Sequence, residues 1–204
     1  FDNDLEKTPD DYNMLKEKAF LSFTFPRVNM RKAEADCKRF LKLYPDNVDT
    51  LFSLAYRTFI NSYNDFTQNE KSRSLLEKAL KINPKRADCY SLLADIERFS
   101  GKDIETSIYY LKKAIELEPA WINPRIKLSY YFSENNDFDM AEKVAQEAFK
   151  TFKSLKFSKP KNDIERYYEE GITGRTPDRE PVFKKLFDWI KIRRKRHKSY
   201  SKAG

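Results

Sequence analysis

Two short segments of the chain are near-copies of each other. The first is Glu77-Lys78-Ala79-Leu80-Lys81-Ile82-Asn83-Pro84, and the second is Lys112-Lys113-Ala114-Ile115-Glu116-Leu117-Glu118-Pro119. Their closing prolines lie 35 positions apart. A sequence that repeats at this period predicts a repeat protein, in which one structural unit stacks on the next.

The composition favours long helices over sheets. Of the 204 residues, 40% are hydrophobic, while only 4 are glycine and 9 are proline. Abundant Lys, Glu, Leu and Ala are good helix formers, and this apolar fraction is sufficient for a continuous core. We therefore predict an all-α protein.

The sequence pattern around the second copy predicts two helices joined by a turn. Apolar residues at Ile104, Ile108, Leu111 and Ile115 follow steps of three and four, which define one helical face. An earlier helical pattern ends at Gly101, a residue type suited to the left-handed position that closes a helix. The predicted unit is helix A, turn, helix B and proline.

This unit resembles the tetratricopeptide repeat (TPR) family, whose repeat is a pair of antiparallel helices of about 34 residues. The resemblance is carried by a large and a small residue in helix A, by small residues in helix B and by the proline. These are Leu93-Ala94, Ser107, Ala114 and Pro119 in the clearest unit, Leu54-Ala55, Ser72, Ala79 and Pro84 in the preceding one, and Leu128-Ser129, Ala141, Ala145 and Ala148 in the following one. The last unit departs from the pattern, because Lys153 stands where the proline is expected.

A degenerate first unit is expected from Tyr12 to Pro45, so that the resemblance covers about Tyr12 to Phe152. It implies a right-handed TPR-like α-solenoid of three to four helix pairs over residues 1–153. Residues 154–204 are predicted to form a linker, a C-terminal capping helix and a basic tail. The capping face would consist of Val182, Phe183, Leu186, Phe187 and Ile190, because a solenoid must cover its exposed end.

The net charge of +8 is concentrated at the C-terminus. Nine Lys or Arg and one acid lie in Val182–Gly204, and the bases and acids of the remaining chain cancel. The basic run consists of Lys191, Arg193, Arg194, Lys195, Arg196 and Lys198. It predicts an anionic partner, either nucleic acid or an anionic membrane, with a nuclear-localisation signal or simple solubility as the alternatives.

No catalytic pattern is present in the sequence. The single histidine, His197, lies inside the basic run, and no phosphate-binding glycine motif or H-E-x-x-H motif occurs. Cys37 and Cys89 are predicted to be small buried hydrophobic residues. We therefore expect no enzyme activity, no cofactor, no metal and no small-molecule substrate.

The TPR resemblance also implies where a partner protein would bind. In TPR arrays the A helices line a concave groove, and the corresponding positions here hold Asp49, Phe52, Tyr56, Phe59, Asp88, Ser91, Asp95, Arg98, Asn123, Ile126 and Tyr130. Such a groove would favour an extended peptide with apolar and basic residues. The alternative is that the aromatic residues pack between repeats and the acids are ordinary surface groups.

The predicted function is a non-enzymatic interaction module or scaffold that binds a partner segment in this groove. Two alternatives stay open: an adaptor that acts through the basic tail, and an accessory domain of a larger enzyme or membrane assembly. The chain shows no signal peptide or membrane-spanning pattern, so a cytoplasmic location is expected, with a nuclear or membrane-peripheral one also open.

Overall fold

The computed structural model describes residues 30–61, 65–101, 104–155 and 180–200. Regular structure in these ranges is entirely helical, which confirms the all-α prediction. The helices are α1 (Met30–Leu43), α2 (Val48–Ile60), α3 (Phe66–Ile82), α4 (Ala87–Phe99), α5 (Ile104–Leu117), α6 (Ile122–Glu134), α7 (Phe138–Ser154) and α8 (Glu180–Tyr200). The start of the predicted first repeat, at Tyr12, and the predicted linker lie outside the described residues.

The chain divides into two compact units, residues 1–89 and 90–204, and this division falls within α4. In the first unit, α1 packs on α2, and α2 packs on α3. Asn47 begins α2 by accepting a hydrogen bond from the backbone amide of Thr50 at 2.9 Å, and Asp65 begins α3 in the same way. Such caps satisfy amides that the helix itself leaves unpaired.

The small residues predicted from the repeat lie at the interfaces between paired helices. All are completely buried: Ala55, Ser72 and Ala79 in the first unit, and Ala94, Ser107, Ala114, Ser129, Ala141, Ala145 and Ala148 in the second. Because these side chains are short, the two helix backbones of a pair approach closely enough for direct hydrogen bonds. Ser72 donates to the carbonyl of Ala55 at 2.7 Å, and Ser129 donates to the carbonyl of Ala141 at 2.7 Å.

The turns of the second unit follow from local sequence. Gly101 has a φ of +66°, so its predicted place in the left-handed region at the end of α4 is confirmed. Asp137 caps α7 by accepting from the amide of Met140 at 3.1 Å. Helix α7 continues through Lys153 to Ser154, because a lysine at that position does not interrupt a helix as proline does.

Helix α8 covers the end of the second unit, which confirms the predicted capping helix. It packs on α6 and α7, and Phe183, Leu186 and Ile190 are buried. The ring of Phe183 lies 5.2 Å from that of Phe149 and 5.4 Å from that of Phe152. Val182 departs from the prediction, since it is 36% exposed and lies outside the packed face.

Candidate partner-binding surfaces

In the first unit, the predicted groove residues surround an arginine that the sequence pattern does not single out. Arg86 forms ion pairs with Asp49 and Asp88, each at 2.5 Å. Its guanidinium also lies over the ring of Phe52, 5.8 Å from the centroid. Burial lowers the pKa of Arg86, but its hydrogen bonds to Asp88 and Asp49 raise that pKa above the ordinary value, so the group stays charged.

The aromatic residues of this unit differ in exposure. Phe52 is buried and stacks on Tyr56 with ring centroids 6.3 Å apart, while Tyr56 and Phe59 are each half-buried. Phe52 is therefore largely covered within the first compact unit. Tyr56 and Phe59 retain some accessible surface.

In the second unit, a lysine on α6 joins two predicted groove residues on α4. The Lys127 ammonium donates to Asp95 at 2.6 Å and to the hydroxyl of Ser91 at 3.1 Å. The hydroxyl of Tyr131 donates to the other oxygen of Asp95 at 3.1 Å. The ladder formed by Ser91, Asp95, Lys127 and Tyr131 connects two successive A helices.

A second ion pair extends this polar contact between α4 and α6. Arg98 donates to Glu134 at 2.6 Å, and this bond raises the pKa of Arg98. Burial raises the pKa of Tyr131, and the nearby Asp95 carboxylate raises it further, so the phenol keeps its proton and remains a donor. Sequence reasoning missed Lys127, Tyr131 and Glu134, although each lies about one repeat length beyond its partner on α4.

The remaining predicted groove residues are on α6. Asn123 is half-exposed at its start, Ile126 is buried in the core of the unit, and Ser91 on α4 is also buried. Tyr130 makes an edge contact with Trp189 of α8, with ring centroids 4.8 Å apart. The capping helix therefore covers part of the surface that the resemblance assigns to a partner.

The basic run is not an extended tail, because it forms the last turns of α8. Arg194 pairs with Asp139 at 3.0 Å and with Glu142 at 3.3 Å, both on α7. Arg193 lies over the Trp189 ring at 5.3 Å, and the ring of His197 lies 5.6 Å from that of Phe138. Arg194 and His197 therefore hold the end of the helix against α7, whereas the Arg193 contact lies within α8. Lys191, Lys195, Arg196 and Lys198 are exposed.

Both cysteines are buried, as predicted, and both are free thiols. Burial raises the pKa of the Cys37 thiol to about 11 and raises that of Cys89 as well. Neither is therefore a thiolate at neutral pH. Among the described residues, no group of three or more His, Cys, Asp or Glu side chains is arranged to hold a metal ion.

In the described part of the chain, no helix combines the length and the apolar character needed to cross a membrane.

No protein-family model and no curated protein sequence matches the chain. Similarity is found among solved structures instead. A crystal structure of MamA superposes with a TM-score of 0.62 at 17% identity, covering 74% of this chain and 84% of MamA.

Two further structures are similar to this chain. The TPR-like repeats of a putative kinesin light chain from Podosopora anserina give a TM-score of 0.55 at 12% identity, and the alignment covers 94% of this chain and 98% of that one. The fold is that of a TPR array. A mutant O-GlcNAc transferase from Thermobaculum terrenum gives a TM-score of 0.61 at 20% identity, but only 26% of its chain aligns with 69% of this TPR-like protein.

Proposed function

We propose that this TPR-like protein is a non-enzymatic scaffold that binds a segment of a partner protein along the exposed side of its A helices. TPR-like arrays in general support protein–protein interaction, which is the basis for the proposal. The observation that carries it is the ladder between α4 and α6, which holds half-exposed polar groups on two successive A helices. A surface fixed in this way is preorganised for a partner.

The charges of the A helices define what a partner segment would carry. In the first unit, Asp49 on α2 and Asp88 on α4 place two carboxylates beside Arg86 on the A helices, so a basic residue of the partner is favoured there. In the second unit, Asp95 is balanced by Lys127 and Arg98 by Glu134. At that surface, recognition depends on hydrogen bonds and apolar contacts rather than on net charge.

Asn123 is the residue through which this proposal is best tested. It is half-exposed at the start of the A helix α6, and an amide side chain carries both hydrogen-bond donors and an acceptor. Tyr109 on the B helix α5 provides a matched control, because it is 55% exposed but lies outside the A helices.

The experiment selects peptides from a displayed library against the intact protein and then measures their affinity for two variants. Asn123→Ala is expected to weaken binding about tenfold, whereas Tyr109→Ala should change it less than about twofold. Urea denaturation of both variants checks that the fold is intact. The proposal fails if the selected peptides bind Asn123→Ala normally and lose affinity for Tyr109→Ala.

A further inference from the structure

One side of helix α8 packs on α6 and α7, and this packing determines which of its residues face solvent. Phe183, Leu186 and Ile190 are buried, and Arg194 is held by carboxylates of α7. These positions recur at steps of three and four, so one face of the helix is turned toward the unit along most of its length. The opposite face is therefore a defined surface.

This opposite face carries an unusual density of positive charge. Its exposed cations are Lys184, Lys185, Lys191, Lys195, Arg196 and Lys198, and Asp188 is the one carboxylate among them. Within the described residues, none of these six cations forms an ion pair with a carboxylate. Two acids of α7, Asp139 and Glu142, pair with Arg194 instead.

The cations are regularly spaced along the helix. Lys191, Lys195 and Lys198 follow steps of four and three, so they form a single row about 10 Å long. Lys184 lies on the same row about 21 Å from Lys198, and Asp188 occupies the turn between Lys184 and Lys191. Arg196 and Lys185 lie on the neighbouring row. From Lys191 to Lys198 a cation recurs at each turn of a rigid helix, which can contact several phosphates at once without ordering a flexible tail first.

We propose that this cationic face, formed by Lys184, Lys185, Lys191, Lys195, Arg196 and Lys198, binds the phosphate backbone of a nucleic acid. The site is separate from the A helices and does not depend on the function proposed for them. The contacts are to phosphates, so binding is expected to be independent of base sequence and strongly dependent on salt.

The structure favours a nucleic acid over a membrane. A helix that lies in a bilayer surface needs an apolar face to insert, and in α8 that face is already buried against α6 and α7. On the cationic side, Ile192 is the large apolar residue, with 49% of its surface exposed. An acidic protein partner is disfavoured for a related reason, because protein interfaces depend on aromatic and apolar anchors.

The test measures binding of the full chain to a fluorescein-labelled 20-base-pair DNA duplex and to a 20-nucleotide single-stranded RNA by fluorescence anisotropy. Titrations run from about 50 to 200 mM KCl, the range in which phosphate contacts are resolved. The test variant is Lys191→Gln/Lys195→Gln/Lys198→Gln. The matched control, Lys81→Gln/Lys143→Gln/Lys150→Gln, removes the same charge from exposed lysines on α3 and α7.

The test variant should lose affinity for both probes, and the slope of log affinity against log salt should decrease by about 2.7 for the duplex and about 2 for the RNA. The control variant should keep the parent slope. Lys191→Arg/Lys195→Arg/Lys198→Arg should also bind like the parent, because it preserves the charge. This rescue distinguishes loss of phosphate contact from damage to the fold.

Two results overturn the proposal. One is that the test and control variants bind duplex and RNA with the same affinity and salt slope, since the cations of α8 would then play no special part. The other is that the parent binds phosphatidylserine vesicles or poly-glutamate but neither nucleic acid, which would assign the surface to a membrane or to an acidic protein. If the parent does bind nucleic acid through this face, its relative affinity for the duplex and for the single-stranded RNA identifies which class of nucleic acid it prefers.

Discussion

The serines at the small positions of the repeat differ in their hydrogen bonding from one helix pair to another. Ser72 and Ser129 each donate a buried hydrogen bond of 2.7 Å to a carbonyl of the paired helix. Ser107 occupies the position in α5 that Ser72 occupies in α3, yet its hydroxyl finds no partner in the described structure. The same residue type in the same repeat position therefore contributes differently to stability.

We expect Ser129→Ala to lower the free energy of unfolding by about 1 kcal/mol, because the bond to the carbonyl of Ala141 is lost. Ser107→Ala should leave stability unchanged or raise it by about 0.5 kcal/mol, since no bond is lost and alanine is the better helix former. Urea denaturation followed by circular dichroism measures both values. Equal losses in the two variants would contradict this account.

The interface positions could be predicted from the sequence, whereas the partners of the charged residues could not. Small residues recur at the repeat period, and all ten predicted at the helix pairs are buried. The pattern gives Asp95 as a surface acid, but it does not show that Lys127 and Tyr131 both bind it. Ion pairing depends on the rotation of each A helix and on side-chain rotamers, which hydrophobic periodicity leaves undetermined. A change such as Asp95→Lys therefore alters contacts within the fold as well as the surface charge.

At the scale of elements, α8 shows how one helix combines two patterns. Its apolar steps from Phe183 to Ile190 predict the capping contact, and the structure confirms it. The basic run that follows has no apolar periodicity, so the sequence separates it from the helix as a tail. In the structure, His197 beside Phe138 of α7 continues the docked face through an aromatic contact. Arg193 lies over Trp189 of the same helix, and the Trp189 ring in turn contacts Tyr130 of α6. Cationic and aromatic side chains thus extend a helix face that hydrophobicity alone does not reveal.

The contribution of α8 to stability is tested by two adjacent residues with opposite environments. Phe183 is 1% exposed and contacts Phe149 and Phe152, whereas Val182 is 36% exposed. Phe183→Ala should destabilise the protein by about 3 to 5 kcal/mol, because it leaves a cavity in the core. Val182→Ala should cost less than about 0.5 kcal/mol. If both variants unfold at the parent's urea concentration, α8 is not docked in solution.

At the scale of the whole molecule, repeat proteins gain stability from contacts between neighbouring units rather than from one central core. In the second compact unit, a single cluster of buried apolar residues extends from Ala94 on α4 to Ile190 on α8. Each helix from α4 to α8 contributes to that cluster. We therefore expect this unit to unfold as one cooperative body, even though its helices contact mainly their neighbours.

Ala114→Arg tests this cooperativity, because Ala114 is completely buried in α5 and a bulky charged side chain there overpacks the helix pair. The substitution should lower the free energy of unfolding by more than about 3 kcal/mol, and Gln146→Arg, at an exposed position on α7, should have little effect. Hydrogen–deuterium exchange followed by mass spectrometry then compares α5 with α8. For a cooperative unit, protection falls by the same factor in both helices, although Ala114 lies on α5 and α8 packs on α6 and α7. If α5 loses protection from exchange while α8 keeps the protection seen in the parent, then α7 and the capping helix fold independently of the preceding repeat.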